Sequence, residues 1–173
     1  MSQSLPTLKQ FFIGQLDREA ALTRKAIANF PEGHNDFKPH ERSMTFGSLA
    51  ALVSQMLSWI PLMIDRDEFD LDAPANESFR NRPEAVRADL LAIIDKGTAD
   101  ARRALESASD EHLLTPWAFK RGERVVYQRP RYIVIADSVF SHLAHHRGQL
   151  TVYLRLHDAK VPALYGPSAD EQF

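Results

Sequence analysis

Two histidines in the C-terminal third of the chain have a spacing that suits shared chemistry. His142 and His146 are four residues apart in a segment with helical periodicity, so their side chains are expected one turn apart on the same helix face. Two imidazoles placed in this way can bind one divalent metal ion, and side chains on facing helices commonly build such sites inside a bundle. The alternative is a pair of histidines whose nitrogens are satisfied by hydrogen bonds in a partly polar core.

Two catalytic interpretations of the same segment fit poorly. A zinc protease helix carries a glutamate as general base directly after its first histidine, whereas Leu143 stands there. Asp137, Ser138 and Ser141 are residue types found in hydrolytic triads. They point in several directions from one helix, however, and no nucleophile elbow accompanies them. His145 lies about a quarter-turn from the histidine pair and is predicted to be exposed or structural.

Four apolar segments with helical spacing must position these residues. Pro61 is predicted to kink or end the second of them. The four predicted helices run over Leu5–Phe30, from Ser43 or Thr45 to about Pro61, over Pro83–Leu105, and from Pro130 to His157.

The connection before the last helix contains a second kind of pattern. Trp117–Phe119 and Val125–Tyr127 are short apolar stretches that flank Arg121-Gly122-Glu123, which indicates a short hairpin. The acidic segment Asp65–Asp72 is interpreted as a solvated connection. Together the segments predict an all-α fold, a four-helix bundle with a short hairpin-like loop before the last helix, in a single domain over residues 1–173.

Composition excludes several classes of function. The 173 residues include 21 Lys and Arg against 23 Asp and Glu, for a formal net charge of −2. This balance argues against nucleic-acid binding, which usually needs a basic surface. The chain has no cysteine, so it has no disulfide, thiolate ligand or cysteine nucleophile. Any metal ligand must therefore come from histidine, a carboxylate or an amide oxygen.

One stretch is apolar enough to raise the question of a membrane span. Residues 44–64 carry no charged side chain and are about long enough to cross a bilayer. Several polar residues and Pro61 interrupt the stretch, and its amphipathic neighbours need partners in water. We therefore predict a buried helix, no membrane association, and a cytoplasmic protein, since Met1–Gln10 lacks the pattern of a signal peptide.

The sequence around the histidines resembles that of DinB-like (DinB/YfiT-type) proteins. The resemblance is carried by His142–Leu150, by Val161–Glu171 and by Ser43–Gly47. It implies a four-helix bundle, often a homodimer, with a three-histidine site for zinc or nickel. Characterised relatives include metal-dependent thiol transferases and maleylpyruvate isomerases. The resemblance thus implies a small-molecule substrate or a thiol cosubstrate.

The sequence departs from the family pattern at one ligand. His142 and His146 match two of the three metal ligands, but the third belongs to a Leu-Ala-x-His pattern that here reads Leu49-Ala50-Ala51-Leu52. Leucine cannot coordinate a metal, and a catalytic zinc site normally needs three protein ligands. The residues considered as a replacement ligand are Gln55, His40, His34 and His112.

Two functional hypotheses follow from the substitution at Leu52. The first is a metal-dependent enzyme of the thiol transferase or hydrolase type that uses His142 and His146 and an unidentified third ligand. The second is a metal-poor, catalytically inactive bundle that acts as a small-molecule-binding or dimeric module.

Three further side chains have both a functional and a structural interpretation. Arg147 could orient the histidines, but an ion pair with an acidic residue such as Glu19 or Asp137 is favoured. Trp59 and Trp117 could line the mouth of a pocket or belong to the core.

Overall fold

Seven α-helices make up most of the described part of the protein. The computed structural model describes residues 6–79 and 85–172, apart from the side chains of residues 77–79. The predicted helix starts at Leu5 and Pro83 lie outside the described residues. The helices are α1 (Leu8–Ile27), α2 (Phe46–Gln55), α3 (Trp59–Asp65), α4 (Arg87–Ser107), α5 (Asp110–Leu114), α6 (Arg131–Val134) and α7 (His142–Leu156).

Side-chain caps define where the first two helices begin. Thr7 accepts a hydrogen bond from the backbone N–H of Gln10, and the Gln10 side chain accepts one from the backbone N–H of Thr7. This reciprocal capping box satisfies two donors that the first turn of a helix leaves unpaired. Of the two caps predicted for α2, Thr45 is the one used, and it accepts from the backbone N–H of Ser48.

Pro61 lies inside α3 and does not end it. The three residues Met56–Ser58 form one turn of 3₁₀-helix between α2 and α3, and the helical path then continues to Asp65. Pro61 is the third residue of α3, where a backbone N–H has no partner within the helix. The helix therefore does not end at Pro61, and the irregular turn lies upstream of the proline.

The apolar stretch is a core helix in this structure. The path over Phe46–Asp65 is long and apolar enough to cross a membrane, but 67% of its most apolar window is buried inside the protein. Its two halves pack against α4, and α2 also contacts α7. The prediction of a buried helix is confirmed.

The predicted hairpin is present, and a third strand joins it. Strands β2 (Pro116–Arg121) and β3 (Arg124–Pro130) pair antiparallel, with Gly122 in the turn at a φ of 58°. Strand β1 (Glu68–Asp70) pairs parallel with β2. The prediction of an all-α fold is therefore incomplete, because the structure also contains a small three-stranded sheet. Strand β1 has only three residues and one buried side chain, Phe69. It is too short for the alternation of apolar and polar residues that identifies a strand in a sequence.

The last long helical segment is irregular just before the histidine pair. Between α6 and α7, residues Ile135–Ser141 form a π-helix. A π-helical turn admits an extra residue into the helix, and such turns occur frequently at functional sites. Here the π-helix ends at Ser141, directly before His142, so it sets the direction in which the first histidine leaves the helix.

A loop residue fixes the chain that enters α2. The side-chain amide of Asn35 donates to the carbonyl of Ala85 at 3.2 Å and accepts from its backbone N–H at 3.1 Å. The backbone carbonyl of Asn35 accepts from the N–H of Gly47 at 3.0 Å. A Cβ atom added at Gly47 would overlap the side-chain oxygen of Asn35.

Gly47→Ala is therefore expected to destabilise the protein. The new methyl group displaces Asn35 from both bonds to Ala85, and overpacking of this kind lowers the free energy of unfolding by about 1–3 kcal/mol. Gly14→Ala is the matched control, because Gly14 is an exposed residue of α1 with no neighbour within 4 Å of the added Cβ. Urea denaturation followed by circular dichroism should show Gly14→Ala raising the stability by about 0.5–1 kcal/mol. Equal stability of the two variants would contradict the role of Asn35.

Candidate functional site

A cavity of about 580 Å³ lies between the α2–α3 segment, the sheet and the π-helix. Among the described residues, its wall contains no Asp, Glu, Lys or Arg. Most of the lining side chains are aromatic or aliphatic, and the polar ones are few. The lining residues are Leu52, Trp59, Leu62, Met63, Phe69, Leu71, Trp117, Phe119, Tyr127, Ser138 and His142.

The structure brings His142 and His146 together, as their spacing predicts. Their Nε2 atoms are 2.8 Å apart, and Nδ1 of His146 lies 2.8 Å from the side-chain oxygen of Gln149. The Gln149 oxygen can only accept, so Nδ1 of His146 carries a proton in this arrangement. Nε2 of a neutral His146 then accepts from Nε2 of His142. Only His142 lines the cavity; His146 connects it to the surface residue Gln149.

Leu52, which the resemblance aligns with the third metal ligand, is apolar. Leu52 is 5% exposed and lines the same cavity as His142, so an isobutyl group shares the cavity wall with the first of the two histidines. Among residues 6–79 and 85–172, no cluster of three or more His, Asp or Glu side chains could hold a metal ion. A metal bound by both histidines would also have to replace the hydrogen bond between their Nε2 atoms. The described residues do not fit a three-ligand metal site.

Two of the proposed replacement ligands are engaged with backbone elsewhere. The backbone N–H of Arg42 donates to Nδ1 of His40 at 3.2 Å, so His40 supports the loop before α2. Nε2 of His112 lies 2.8 Å from the carbonyl oxygen of Ile64 and donates to it. Neither histidine lines the cavity.

The other two replacements are also placed away from the cavity. His34 packs against His157, which follows the last residue of α7, with 4.3 Å between the ring centroids. His142 is the first residue of that helix, so the two histidine pairs lie at opposite ends of α7. Burial, with a smaller contribution from His34, lowers the pKa of His157. Gln55 is not among the lining residues.

Aromatic rings form the wall opposite the histidines' helix. Phe119 stacks between Phe69 and Tyr127, at centroid distances of 6.5 and 5.5 Å. The hydroxyl of Tyr127 shares a hydrogen bond of 3.0 Å with that of Ser138. Both tryptophans singled out in the sequence line the cavity. Trp59 lies 6.1 Å from the His142 ring, measured between centroids.

Arg147 has the structural role predicted for it. Its side chain is fully buried and pairs with Glu19 at 2.6 Å. It also donates to the hydroxyls of Thr23 and Tyr165 at 2.8 and 2.5 Å. The Tyr165 hydroxyl in turn donates to Glu19 at 2.6 Å. Burial and the hydrogen bond to Glu19 raise the pKa of Tyr165.

A second buried arginine was not identified from the sequence. Arg131, at the start of α6, is 1% exposed and donates to Asp67 at 2.5 Å and to the carbonyl of Pro116 at 2.8 Å. It thereby joins the segment before β1 to the start of β2. No signal marks this residue in the sequence, because its partners are 15 and 64 residues away.

Comparisons with known proteins agree with this fold. The family model of the DinB family matches residues 1–172. A crystal structure of a DinB-like protein from Bacillus subtilis is 18% identical, with a TM-score of 0.64 over 94% of this chain and 99% of that one. A DinB family member from Exiguobacterium sibiricum is 18% identical, with a TM-score of 0.66 over 91% and 97% of the two chains. A DinB-like protein from Bacillus cereus is 20% identical, with a TM-score of 0.65 over 89% and 95%. No curated protein matches the chain.

Proposed function

We propose that this protein, which belongs to the DinB family, binds an apolar small molecule in the cavity beside His142. The proposal includes the four-helix bundle expected from the sequence, formed by α1, the α2–α3 segment, α4 and the α6–α7 segment. The observation that carries it is the composition of the cavity wall. Leu52, at the position that the resemblance gives to a metal ligand, is part of that wall, and none of its described side chains is charged.

The size and chemistry of the cavity support ligand binding. A volume of about 580 Å³ falls within the range of roughly 300–1,000 Å³ that is typical of small-molecule sites. Such sites are mostly apolar, with a few polar groups that orient the ligand. Here those groups are His142, Ser138 and the hydroxyl of Tyr127.

The test uses N-phenyl-1-naphthylamine, a neutral probe whose fluorescence rises in apolar surroundings. The wild type should bind one probe per chain. Leu62→Trp places a larger ring in the cavity, because Leu62 is a half-buried lining residue of α3, and should weaken binding at least about tenfold by excluding the probe. Leu156→Trp makes the same change at an exposed residue of α7 and should leave the affinity unchanged.

The proposal is overturned if the folded wild type does not bind the probe, or if both tryptophan variants bind it as well as the wild type does. Circular dichroism of each variant establishes that it is folded before its affinity is compared.

A second candidate function is the metal-dependent one. Here His142 and His146 hold a divalent metal, zinc or nickel, for a reaction of the thiol transferase or hydrolase type. The short distance between their Nε2 atoms supports a shared ligand, while Leu52 weakens the site. The cytoplasmic location and the homodimer stay predictions. Val152 and Leu156, one turn apart and exposed on α7, offer apolar surface for a second copy.

A further inference from the structure

A cluster of aromatic rings surrounds His157, the residue that follows α7. The rings of His34 and Phe37 each lie 4.3 Å from the His157 ring, measured between centroids. The Phe46 ring stacks on it at 5.3 Å, with the two planes 19° apart. His34 and Phe37 belong to the loop between α1 and α2, so the ring cluster holds this loop against the end of α7.

The Nε2 atom of His157 is poorly placed to carry a proton. It is buried and has no hydrogen-bond partner among the described residues. A neutral imidazole can leave a lone pair at Nε2, whereas the imidazolium has an N–H on both nitrogens. Protonation therefore buries a donor without an acceptor and brings a charge among aromatic rings, and both changes cost free energy.

The described groups that face His157 do not offset this cost. The loop contributes His34 and Asp36, which line the same small cavity as His157. Asp158 follows His157 in the chain, and the hydroxyl of Tyr153 in α7 is engaged, because it donates to the carbonyl of Met44. Burial lowers the pKa of His157 and His34 lowers it further, while Asp158 raises it by less.

We propose that His157 is a pH-dependent switch, in which protonation of its imidazole releases the loop of residues 34–37 from the end of α7. The loop also fixes the start of α2. The carbonyls of Asn35 and Phe37 accept from the backbone N–H groups of Gly47 and Phe46, at 3.0 and 2.9 Å. The inference does not depend on a ligand in the cavity beside His142.

The direction of the pH dependence follows from proton binding. Release exposes His157 to water, so its pKa rises toward the ordinary value of 6.5. The released loop thus binds the proton more tightly than the docked loop does. Docking is unaffected well above pH 6.5 and weakens as the pH falls below that value toward the lower pKa of the docked state.

Amide hydrogen exchange followed by NMR tests the switch on the wild type. Protection factors, which correct for the pH dependence of intrinsic exchange, are compared at about pH 7.5 and about pH 5, on either side of the ordinary histidine pKa. Those of the Phe46 and Gly47 amides should fall at least about threefold in acid. The amide of Ala118, which donates to the carbonyl of Asp67, should keep its protection.

His157→Phe assigns the pH dependence to His157. The variant keeps an aromatic ring in the cluster but cannot be protonated there, so the Phe46 and Gly47 amides should be equally protected at both pH values. His40→Gln is the matched control, because His40 is an exposed histidine of the same loop, and it should lose protection in acid as the wild type does.

The proposed switch is contradicted if the wild type keeps the protection of both amides in acid. Equal loss of protection at Ala118 also contradicts it, since the protein would then be unfolding as a whole. So does a folded His157→Phe variant that responds like the wild type. If that variant does not fold, NMR titration of the His157 ring in the wild type decides, and a pKa at or above 6.5 overturns the inference. Probe binding in the cavity is measured separately, so the proposed function stands or falls on its own test.

Discussion

Arg147→Met is expected to lower the free energy of unfolding by about 3–5 kcal/mol, the usual cost of breaking a buried ion pair from one side. Arg147 is fully buried, and the side chain of its partner Glu19 is 5% exposed. Removal of the guanidinium leaves the Glu19 carboxylate inside the protein with the hydroxyl of Tyr165 at 2.6 Å and a long contact of 3.4 Å from Nε of the half-exposed Arg18. Urea denaturation followed by circular dichroism measures the loss.

A double variant separates the unpaired charge from the lost packing. Glu19→Leu combined with Arg147→Met removes both charges, so it should be clearly more stable than Arg147→Met alone. Arg24→Met serves as the surface control, since Arg24 and its partner Asp95 are both more than half exposed, and exposed pairs contribute little. A double variant as unstable as the single one would show that packing, and not the charge of Glu19, dominates.

Leu52→His is expected to convert the cavity wall into a metal site. The new imidazole joins His142 and His146 to give the three protein ligands that a zinc site needs. The metal content is measured by elemental analysis of untagged protein that is purified without chelator and equilibrated with zinc. It should be well below stoichiometric in the wild type and near one ion per chain in Leu52→His. His146→Ala in the Leu52→His background should lose the metal again.

The matched control places a histidine elsewhere on the same wall. Leu62→His also adds an imidazole to the cavity, but it occupies no ligand position of the family pattern and should gain no tightly bound metal. Near-stoichiometric metal in the wild type would mean that a replacement ligand exists, and would favour the metal-dependent function. No gain in Leu52→His would mean that Leu52 does not occupy the third ligand position.

Local patterns in the sequence were sufficient for much of the fold. Helical spacing located the long helices, the Trp117–Tyr127 region was identified as a hairpin, and the i, i+4 spacing of His142 and His146 predicted their contact. The ion pair of Arg147 with Glu19 was also among the expectations. In the helices and the histidine pair, the interacting residues are only a few positions apart in the chain. The helical period of the sequence is therefore enough to predict these contacts.

Other local features cannot be predicted from a periodic pattern of apolar residues in the sequence. Strand β1 is three residues long, and its pairing with β2 depends on a segment about 50 residues away. The π-helix before His142 is a change in hydrogen-bond register that apolar spacing does not reveal. Pro61 is predicted to kink or end its helix, whereas the helical path continues past it to Asp65, after a 3₁₀ turn that lies upstream of the proline.

The cavity could not be predicted from the sequence and is seen only in the tertiary structure. Its wall combines α2 and α3 with the sheet and the π-helix, so residues from Leu52 to His142 meet there. The sequence alone identifies Leu52 as a departure from a ligand pattern, but not as part of a cavity wall whose described side chains are mostly aromatic or aliphatic. The burial of the indole N–H of Trp117, which has no acceptor among the described residues, is likewise a property of packing. Whether a polar group finds a partner depends on atoms brought together across the whole chain, and no local spacing records them.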